Sequence, residues 1–249
     1  MMSYKICVSI PIEDGNISRI EEIIAKVSIE KPALIEFRLD YLKDPNLLQS
    51  SFLQSLLALL PNHIRSILTL RNHSEGGLLM INEKKRIMFL KTMINSNPDY
   101  LDIELRSSSD TLQEVIKRAQ EKDVKLIFSY HDFEKTPSFE ETSQLIESYY
   151  NQLINNTQIK KELLSSCIFK FIFQADTFQD NITTLALSKE FSKRISLICF
   201  CMGSLGVLSR ISCVKVNSPF TYASYKKKTA IGQINIGEMH QIFEFLFDR

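Results

Sequence analysis

The sequence is poor in the features that mark membrane, linker-rich or nucleic-acid-binding proteins. It has seven glycines, seven prolines and no tryptophan among 249 residues, and no Gly/Pro/Ser-rich stretch divides it. No apolar run approaches the roughly 20 residues of a membrane-spanning helix, and no signal peptide is recognisable. Lysine and arginine number 30 against 29 acidic residues, so no overall charge attracts nucleic acid. We therefore predict one cytoplasmic domain over residues 1–249, with no membrane or nucleic-acid partner.

Cysteine is also scarce, and its spacing excludes the usual cysteine-based architectures. The number of cysteines is odd, and no CxxC pair occurs. A disulfide framework and a zinc site are therefore not expected, and we predict no metal. The five cysteines are better explained as small buried hydrophobic residues: Cys7, Cys167, Cys199, Cys201 and Cys213.

What the chain does have is a regular alternation of two periodicities. Short apolar runs predict strands at 5–10, 34–38, 66–70, 100–104, 125–130, 168–173, 195–201 and 214–216. Stretches with helical spacing predict helices at 17–30, 47–60, 82–95, 108–122, from 138 into the 150s, 178–191, 206–211 and 236–247. Eight strand–helix units in this length predict a (β/α)8 TIM barrel. A doubly wound open sheet is the alternative fold.

Polar side chains recur at the ends of five of these strands. Residues two apart on a strand share a face, so each pair points the same way. At the carboxyl end of a parallel barrel that common face is the active-site mouth. Five strands with the same pattern favour a polar pocket over isolated structural ion pairs. The residues are Glu36 with Arg38, Thr69 with Arg71, Asp102 with Glu104, Ser129 with His131, and Lys170.

Lys170 lies in the middle of an apolar strand, residues 167–173. In an arbitrary protein its stem would pack in the barrel wall and its ammonium would reach a polar rim. The alternative is an amine that attacks a carbonyl and forms a Schiff base. The charged residues on the neighbouring strand ends favour the second interpretation, because they predict a polar cavity that Lys170 can face.

Seven short motifs, in order along nearly the whole chain, resemble those of the type I 3-dehydroquinate dehydratases. Members of this family are Schiff-base dehydratases of the shikimate pathway. Each motif is weak alone, but all seven fall at a predicted strand end or in an adjacent loop. They are Glu36-Phe37-Arg38-Leu39-Asp40, Arg71 with Glu75-Gly76-Gly77, Asp102-Ile103-Glu104, Ser129-Tyr130-His131-Asp132-Phe133, Lys170, Met202-Gly203 through Ser209-Arg210, and Thr229-Ala230-Ile231-Gly232-Gln233. The resemblance as a whole runs from Cys7-Val8-Ser9-Ile10-Pro11 to Gly232-Gln233.

The resemblance implies a mechanism with three catalytic residues. Lys170 would form an imine with the C3 ketone of 3-dehydroquinate. His131 would remove a C2 proton and then protonate the departing C1 hydroxyl, and Glu75 would orient the imidazole. An imidazole suits proton transfer near neutral pH, and a protonated imine stabilises a developing carbanion.

The resemblance also implies the substrate contacts and the cofactor requirement. Arg210 and Gln233 would hold the substrate carboxylate. For Asp102 and Glu104 the sequence leaves two alternatives, balancing charge within the barrel and contacting the substrate. No metal or organic cofactor is implied. A homodimer is implied, and some relatives carry a fused shikimate dehydrogenase domain. The predicted substrate-binding residues are Glu36, Arg38, Arg71, Arg210, Thr229, Gln233, Ser9 and Met202.

One motif departs from the family pattern, and two other functions remain open. The family's last loop usually reads Ser-Ala-Pro-Gly-Gln, whereas residues 229–233 here place Ile231 where the proline stands. Ile231 lacks the fixed φ of proline, which leaves the loop less preorganised. A class I aldolase or transaldolase would share the barrel and the strand lysine. A non-catalytic member would bind a small carboxylate without converting it.

Overall fold

Eight parallel strands alternate with helices in the structure, a computed structural model that describes residues 4–247. The strands are β1 (Ile6–Pro11), β2 (Leu34–Arg38), β3 (Arg65–Thr69), β4 (Tyr100–Glu104), β5 (Lys125–Asp132), β6 (Ile168–Gln174), β7 (Ser196–Met202) and β8 (Thr221–Ser224). The α-helices are α1 (Ile17–Ile29), α2 (Ser50–Ala58), α3 (Glu83–Asn95), α4 (Ser109–Lys122), α5 (Phe139–Asn156), α6 (Lys161–Ser166), α7 (Gln179–Phe191), α8 (Val207–Ser212) and α9 (Ile236–Phe247).

The strand order makes the sheet a nearly closed barrel. Each strand from β1 to β7 lies beside its neighbours in chain order, and β8 returns to pair with β1. Within residues 4–247 no ladder joins β7 to β8, so the cylinder has one unpaired position. The predicted (β/α)8 barrel is confirmed, because a doubly wound sheet would reverse its strand order in the middle.

Local signals in the sequence explain where the helices begin and which face they bury. The Asn16 side chain accepts a hydrogen bond from the Arg19 backbone amide and so caps α1. The buried face of α1 contains Ile20 and Ile24. Ser138 and Glu141 form a reciprocal capping box at the start of α5. These caps satisfy amide groups that have no partner within a helix. The caps therefore fix the residues at which α1 and α5 begin.

Strand β6 has an aromatic outer face and carries Lys170 on its inner face. Phe169, Phe171 and Phe173 are buried on the outer face, where Phe171 packs against Tyr149 of α5. Lys170 stands on the opposite, inner face, since side chains alternate along a strand. The lysine therefore points into the barrel from a strand that is fixed by aromatic packing behind it.

The predicted eighth strand at 214–216 is wrong. These residues belong to a 3-10 helix, Cys213–Val216, and the true β8 follows at Thr221–Ser224. The real strand is only four residues long and contains Thr221, Tyr222 and Ser224, so it lacks a strong apolar signal. Its pairing with β1, from Ile6 opposite Thr221 onward, supplies the stabilisation that its own sequence does not indicate.

Several helix boundaries also differ from the prediction. The helix predicted at 47–60 is shorter, because a 3-10 turn, Pro45–Leu47, precedes α2. The helix predicted from 138 into the 150s is α5, which runs through Asn156 before Thr157 turns extended. The short α6 was not predicted. None of the helices described between residues 4 and 247 is long and apolar enough to cross a membrane.

Candidate active site

A pocket of about 280 Å³ opens at the carboxyl end of the barrel. That is the end where the loops after the strands meet and where active sites of this fold lie. Its wall mixes charged groups with aromatic and aliphatic side chains, as is typical of small-molecule sites. The lining residues are Glu36, Arg38, Arg71, Glu75, Gly76, His131, Phe133, Lys170, Ile172, Gln174, Phe200, Met202, Arg210, Tyr222, Thr229, Ala230, Ile231 and Gln233.

Lys170 lies on the pocket floor and is 4% exposed. Its Nζ forms an ion pair with Asp102 of β4, and Asp102 also accepts a hydrogen bond from Arg71 at 2.9 Å. Burial alone would raise the pKa of Asp102, but Arg71 and Lys170 outweigh it and lower that pKa to about 2. Asp102 is therefore a carboxylate at neutral pH. The ammonium does not snorkel to the rim, because its counterion is inside the barrel.

Arg71 lies beside Lys170 and links it to a further ion pair. Its guanidinium donates to Glu104 at 2.7 Å and to Ser129 at 2.6 Å. The other Glu104 oxygen accepts from Arg86 of α3. Burial opposes the charge of Arg71, but Asp102 and Glu104 outweigh it and raise its pKa. These buried charges are thus compensated by one another.

His131 is held by Glu75, which comes from the loop after β3. Oε2 of Glu75 lies 3.0 Å from Nδ1 of His131 and accepts the His131 backbone amide at 3.0 Å. When Nδ1 donates to this oxygen, Nε2 keeps its lone pair. Burial, reinforced by Arg71 and Lys170, lowers the pKa of His131 well below its usual value. The imidazole is therefore neutral at pH 7 and able to accept a proton.

The pKa of Glu75 shifts in the opposite direction. Burial raises it to about 7, and the nearby Arg71 opposes that change only in part. Oε1 of Glu75 is buried and has no hydrogen-bond partner among the residues that the structure describes. The carboxyl group thus orients His131 and remains available for a proton near neutral pH.

Arg210 of α8 is the exception to the charge compensation of the pocket. Its guanidinium carbon lies 4.5 Å from the centre of the Phe200 ring, and the residue is 2% exposed. No carboxylate within residues 4–247 pairs with it, and its Nε has no hydrogen-bond partner there. Burial lowers the pKa of Arg210 to about 10, so it stays cationic at neutral pH. An uncompensated buried cation in a pocket is suited to an anionic ligand.

Glu36 and Arg38 of β2 complete the wall on the side of the first strands. Glu36 accepts hydrogen bonds from Ser9 and, at 2.8 Å, from Thr69. Arg38 makes two 2.8 Å hydrogen bonds to Asp40. Both side chains are thus held in place by the protein while they line the pocket.

The loop after β8 folds over the pocket. Thr229 donates to Ser9 at 3.0 Å, and the Gln233 amide nitrogen donates to Thr229 at 3.0 Å. Gly232 has φ +79°, and a Cβ there would lie 2.3 Å from the carbonyl oxygen of Gly203. Only glycine allows this approach, which brings the last loop against the loop after β7.

Ten of the eleven predicted site residues line this single pocket. The exception, Ser9, is absent from the lining and instead bridges Glu36 and Thr229. Asp102 and Glu104 are not among the lining residues, and both form ion pairs with Arg71. The chemical roles assigned to all these residues stay predictions.

Sequence reasoning did not single out Phe133, Phe200 or Tyr222 as pocket residues. Phe133 was visible only as part of a motif, and it stacks beside His131 with 6.3 Å between the ring centres. Phe200 stands opposite Ile172 in the β6–β7 ladder, so its inward direction could have been inferred from alternation. Tyr222 could not be found, because its strand was placed elsewhere. Among residues 4–247 no group of three or more His, Cys, Asp or Glu side chains could hold a metal ion.

The fold and pocket together define a class: a (β/α)8 barrel whose pocket contains a buried lysine, a neutral histidine and a buried arginine that has no carboxylate partner among residues 4–247. A family model of type I 3-dehydroquinases matches residues 6–249. The chain belongs to this family, and the family identification and enzyme class predicted from sequence are confirmed. A 3-dehydroquinate dehydratase from Thermococcus gammatolerans is 32% identical over 228 residues, covering 92% of this chain and 94% of the relative.

Solved structures share the fold of this chain. A type I 3-dehydroquinate dehydratase from Clostridium difficile with covalently modified comenic acid superimposes with a TM-score of 0.80 at 25% identity, covering 98% of this chain and 92% of that one. An S. pombe structure of a dehydroquinate dehydratase with a shikimate dehydrogenase has a TM-score of 0.77 at 22% identity. This chain covers 45% of it and is itself 99% covered. The fused arrangement belongs to that protein.

Proposed function

We propose that this chain dehydrates 3-dehydroquinate to 3-dehydroshikimate through a Schiff base on Lys170, with His131 as general acid and base. The observation that carries the proposal is the pocket's combination of three groups. They are a buried amine, a neutral imidazole and a buried arginine with no counterion among residues 4–247. The ligand that fits them carries a carboxylate and a carbonyl, and the family's substrate has both.

The first stage forms the imine. The Lys170 ammonium gives a proton to His131 and attacks the C3 ketone of the substrate. The carbinolamine hydroxyl then takes that proton back from His131 and leaves as water, which produces a protonated imine. Asp102 stays ionised throughout, because the low pKa of about 2 prevents it from taking the proton. The carboxylate therefore stabilises the positive charge on the nitrogen both before and after the reaction.

The second stage eliminates water. Nε2 of His131 removes a C2 proton while the electron pair of that C–H bond is delocalised into the imine. The resulting enamine expels the C1 hydroxyl, which leaves as water with the proton from His131. Hydrolysis of the new imine consumes one water and frees Lys170. The net change is the loss of one water, and the imine nitrogen is the electron sink, so the reaction uses no metal or organic cofactor.

Substrate orientation falls to the opposite side of the pocket. Arg210 would bind the substrate carboxylate, and Gln233 would join it by exchanging its present bond to Thr229 for one to the ligand. Glu36, Arg38 and Arg71 would contact ring hydroxyls. Thr229 would do the same by exchanging the hydrogen bond that its hydroxyl donates to Ser9. Met202 would contribute apolar contact. The proposed homodimer is a separate prediction, and light scattering of the purified protein measures it.

Borohydride reduction tests the covalent step. The protein is incubated with 3-dehydroquinate or 3-dehydroshikimate, reduced, digested and examined by mass spectrometry. We expect the mass of a reduced adduct on the peptide that contains Lys170. Lys170→Ala should give no adduct and no turnover. Lys125→Ala is the matched control, since Lys125 begins β5 at the far end of the barrel.

The outcomes of this experiment separate the candidate functions. Absence of an adduct in the folded wild-type protein would exclude the proposed mechanism. An adduct without formation of 3-dehydroshikimate would instead support the non-catalytic alternative. The aldolase alternative gains no support from the family match, and it would require an adduct with a sugar phosphate.

A further inference from the structure

Tyr222 is the one pocket-lining residue contributed by β8, and the mechanism proposed above assigns it no role. The residue is 5% exposed, and its ring centre lies 5.0 Å from Nζ of Lys170. Phe220 meets the ring edge-on with 5.4 Å between the centres, and Phe200 lies 6.5 Å away. The aromatic ring is therefore fixed against the amine that the reaction uses.

The hydroxyl of Tyr222 is buried and has no hydrogen-bond partner within residues 4–247. Three other buried polar atoms share this condition, on Glu75, Arg86 and Arg210. The Glu75 and Arg86 side chains have hydrogen bonds through other atoms, and Arg210 faces the proposed ligand. Tyr222 alone has its entire polar group without a partner and without an assigned ligand.

Such a hydroxyl carries an energetic cost. A buried polar group without a partner destabilises the folded state by about 1–3 kcal/mol relative to a satisfied one. Phenylalanine would fill the same space without that cost. Burial, followed by the nearby Glu36, raises the pKa of Tyr222 well above its usual value, so the phenol stays neutral. A neutral phenol can both donate and accept a hydrogen bond.

The catalytic cycle creates a need for such a group. Lys170 starts paired with Asp102, and its nitrogen must move away from that carboxylate to reach a carbonyl carbon above it. Once it moves, its N–H bonds lose the Asp102 carboxylate as their acceptor. The Tyr222 hydroxyl, on a ring whose centre lies 5.0 Å from Nζ, has an unused acceptor. The other unpaired acceptor of the pocket, Oε1 of Glu75, belongs to the carboxyl group that orients His131. The ring face of Tyr222 attracts the nitrogen whenever the nitrogen is cationic.

We propose that Tyr222 is a positioning residue for Lys170, whose hydroxyl accepts an N–H of the attacking amine and whose ring face holds the protonated imine. The inference rests on the proposed Schiff-base function and extends it to a residue on β8. No bond to oxygen forms or breaks at Tyr222. Its contribution is to orient the nitrogen lone pair towards the carbonyl and to keep the imine in place.

Tyr222→Phe isolates the hydroxyl, since the ring and its packing remain. We expect kcat and the single-turnover rate of borohydride-trapped adduct to fall about threefold to tenfold, the value of one net hydrogen bond. KM should stay within about twofold, because substrate contacts are not removed. Stability in urea should be unchanged or higher, since the unpaired hydroxyl is gone. Tyr222→Leu, which also removes the ring face, should lose a further several-fold in the trapping rate.

Tyr100→Phe is the matched control. Tyr100 begins β4, and its hydroxyl lies 3.4 Å from Arg65, away from the pocket. It should retain wild-type kcat. Wild-type kcat in Tyr222→Phe, or a loss of kcat accompanied by lower stability or a large rise in KM, would overturn the proposal. If the wild-type protein forms an adduct and Tyr222→Phe forms it equally fast, only this inference fails; absence of the wild-type adduct overturns the Schiff-base function as well.

Discussion

The two sides of the pocket treat buried charge differently. On the side of β3 to β6, Arg71, Asp102, Glu104 and Lys170 each have an opposite charge within ion-pair distance. On the side of β7 and β8, Arg210 has an aromatic ring beneath it and no carboxylate partner among residues 4–247. The buried charges on the first side are therefore paired without a ligand, whereas Arg210 on the second side has no such partner among residues 4–247.

This difference separates two tasks within one cavity. Compensated charges hold their geometry without a ligand, so the first side can keep Lys170 and His131 in place for chemistry. An uncompensated buried arginine costs stability and is offset only when an anion binds. We therefore assign chemistry to the β3–β6 side and recognition of the substrate carboxylate to the β7–β8 side. Each prediction below tests one consequence of this division.

Removing His131 should produce the largest effect and should affect kcat alone. His131→Ala is expected to lower kcat by about 10²–10⁴-fold, the usual contribution of a general acid–base group, with little change in KM. Steady-state kinetics measures both parameters. Borohydride trapping should still detect imine with 3-dehydroshikimate, formed more slowly. Equal loss of trapping and turnover in the variant would contradict the assigned role.

Replacing the two arginines should affect stability in opposite directions. Arg71→Met leaves Asp102 paired with Lys170 and Glu104 paired with Arg86, but it removes the Arg71 hydrogen bonds to Asp102, Glu104 and Ser129. We therefore expect a loss of about 1–3 kcal/mol of unfolding free energy. Arg210→Met removes an unpaired cation and should leave stability equal or higher, while KM rises about 10–150-fold from loss of a charge-assisted hydrogen bond. Urea unfolding and kinetics measure these changes. A destabilised Arg210→Met would mean that the protein itself pairs this cation.

Glu75 should make stability depend on pH. Its pKa is raised from 4.5 to about 7 by burial, so the folded state holds a proton that the unfolded state releases above pH 4.5. The contribution of Glu75 to the unfolding free energy is greatest below pH 4.5, declines as the pH rises to about 7 and is constant above that. Wild type should lose about 3 kcal/mol relative to Glu75→Gln over that interval. Urea unfolding at several pH values measures the difference, and a flat difference would contradict the raised pKa.

Ile231→Pro should have the smallest effect, on the loop of the β7–β8 side. Ile231 is 75% exposed, and its φ is not positive. Proline would restrict the loop before binding, which is worth about 0.4–1 kcal/mol. We expect KM to fall about twofold to fivefold with kcat unchanged. Ile231→Ala is the control and should leave KM unchanged or slightly higher. A raised KM in the proline variant would show that closure needs a different φ at this position.

The sequence predicted seven strands and most of the pocket for a simple physical reason. Apolar runs that end in polar pairs encode both the buried strand and the open end of the barrel, as at Glu36 with Arg38 on β2. Strand alternation then placed these side chains on one face. The single lysine within an apolar run was visible in the same way.

The features that the sequence did not predict depend on which strands lie next to each other, and the periodicity of one strand does not indicate this. Strand β8 is short and contains polar residues, so its identity comes from pairing with β1, and Tyr222 was missed with it. The ion pair of Lys170 with Asp102 joins β6 to β4, which are not neighbours in the sheet. The isolation of Arg210 is equally invisible, because a sequence records which charges exist but not which ones meet.

The unpaired position between β7 and β8 is a gap in the hydrogen bonding of the barrel, called the seam below. Among the residues that the structure describes, the seam is fastened at its top by one backbone bond, from the Gly203 amide to the Ile231 carbonyl at 3.3 Å. Arg210 follows β7 and Gln233 follows β8. A carboxylate bound by both residues would therefore connect the two sides of this seam. In the proposed function, substrate binding would therefore stiffen the barrel where, among the residues that the structure describes, two neighbouring strands are not paired.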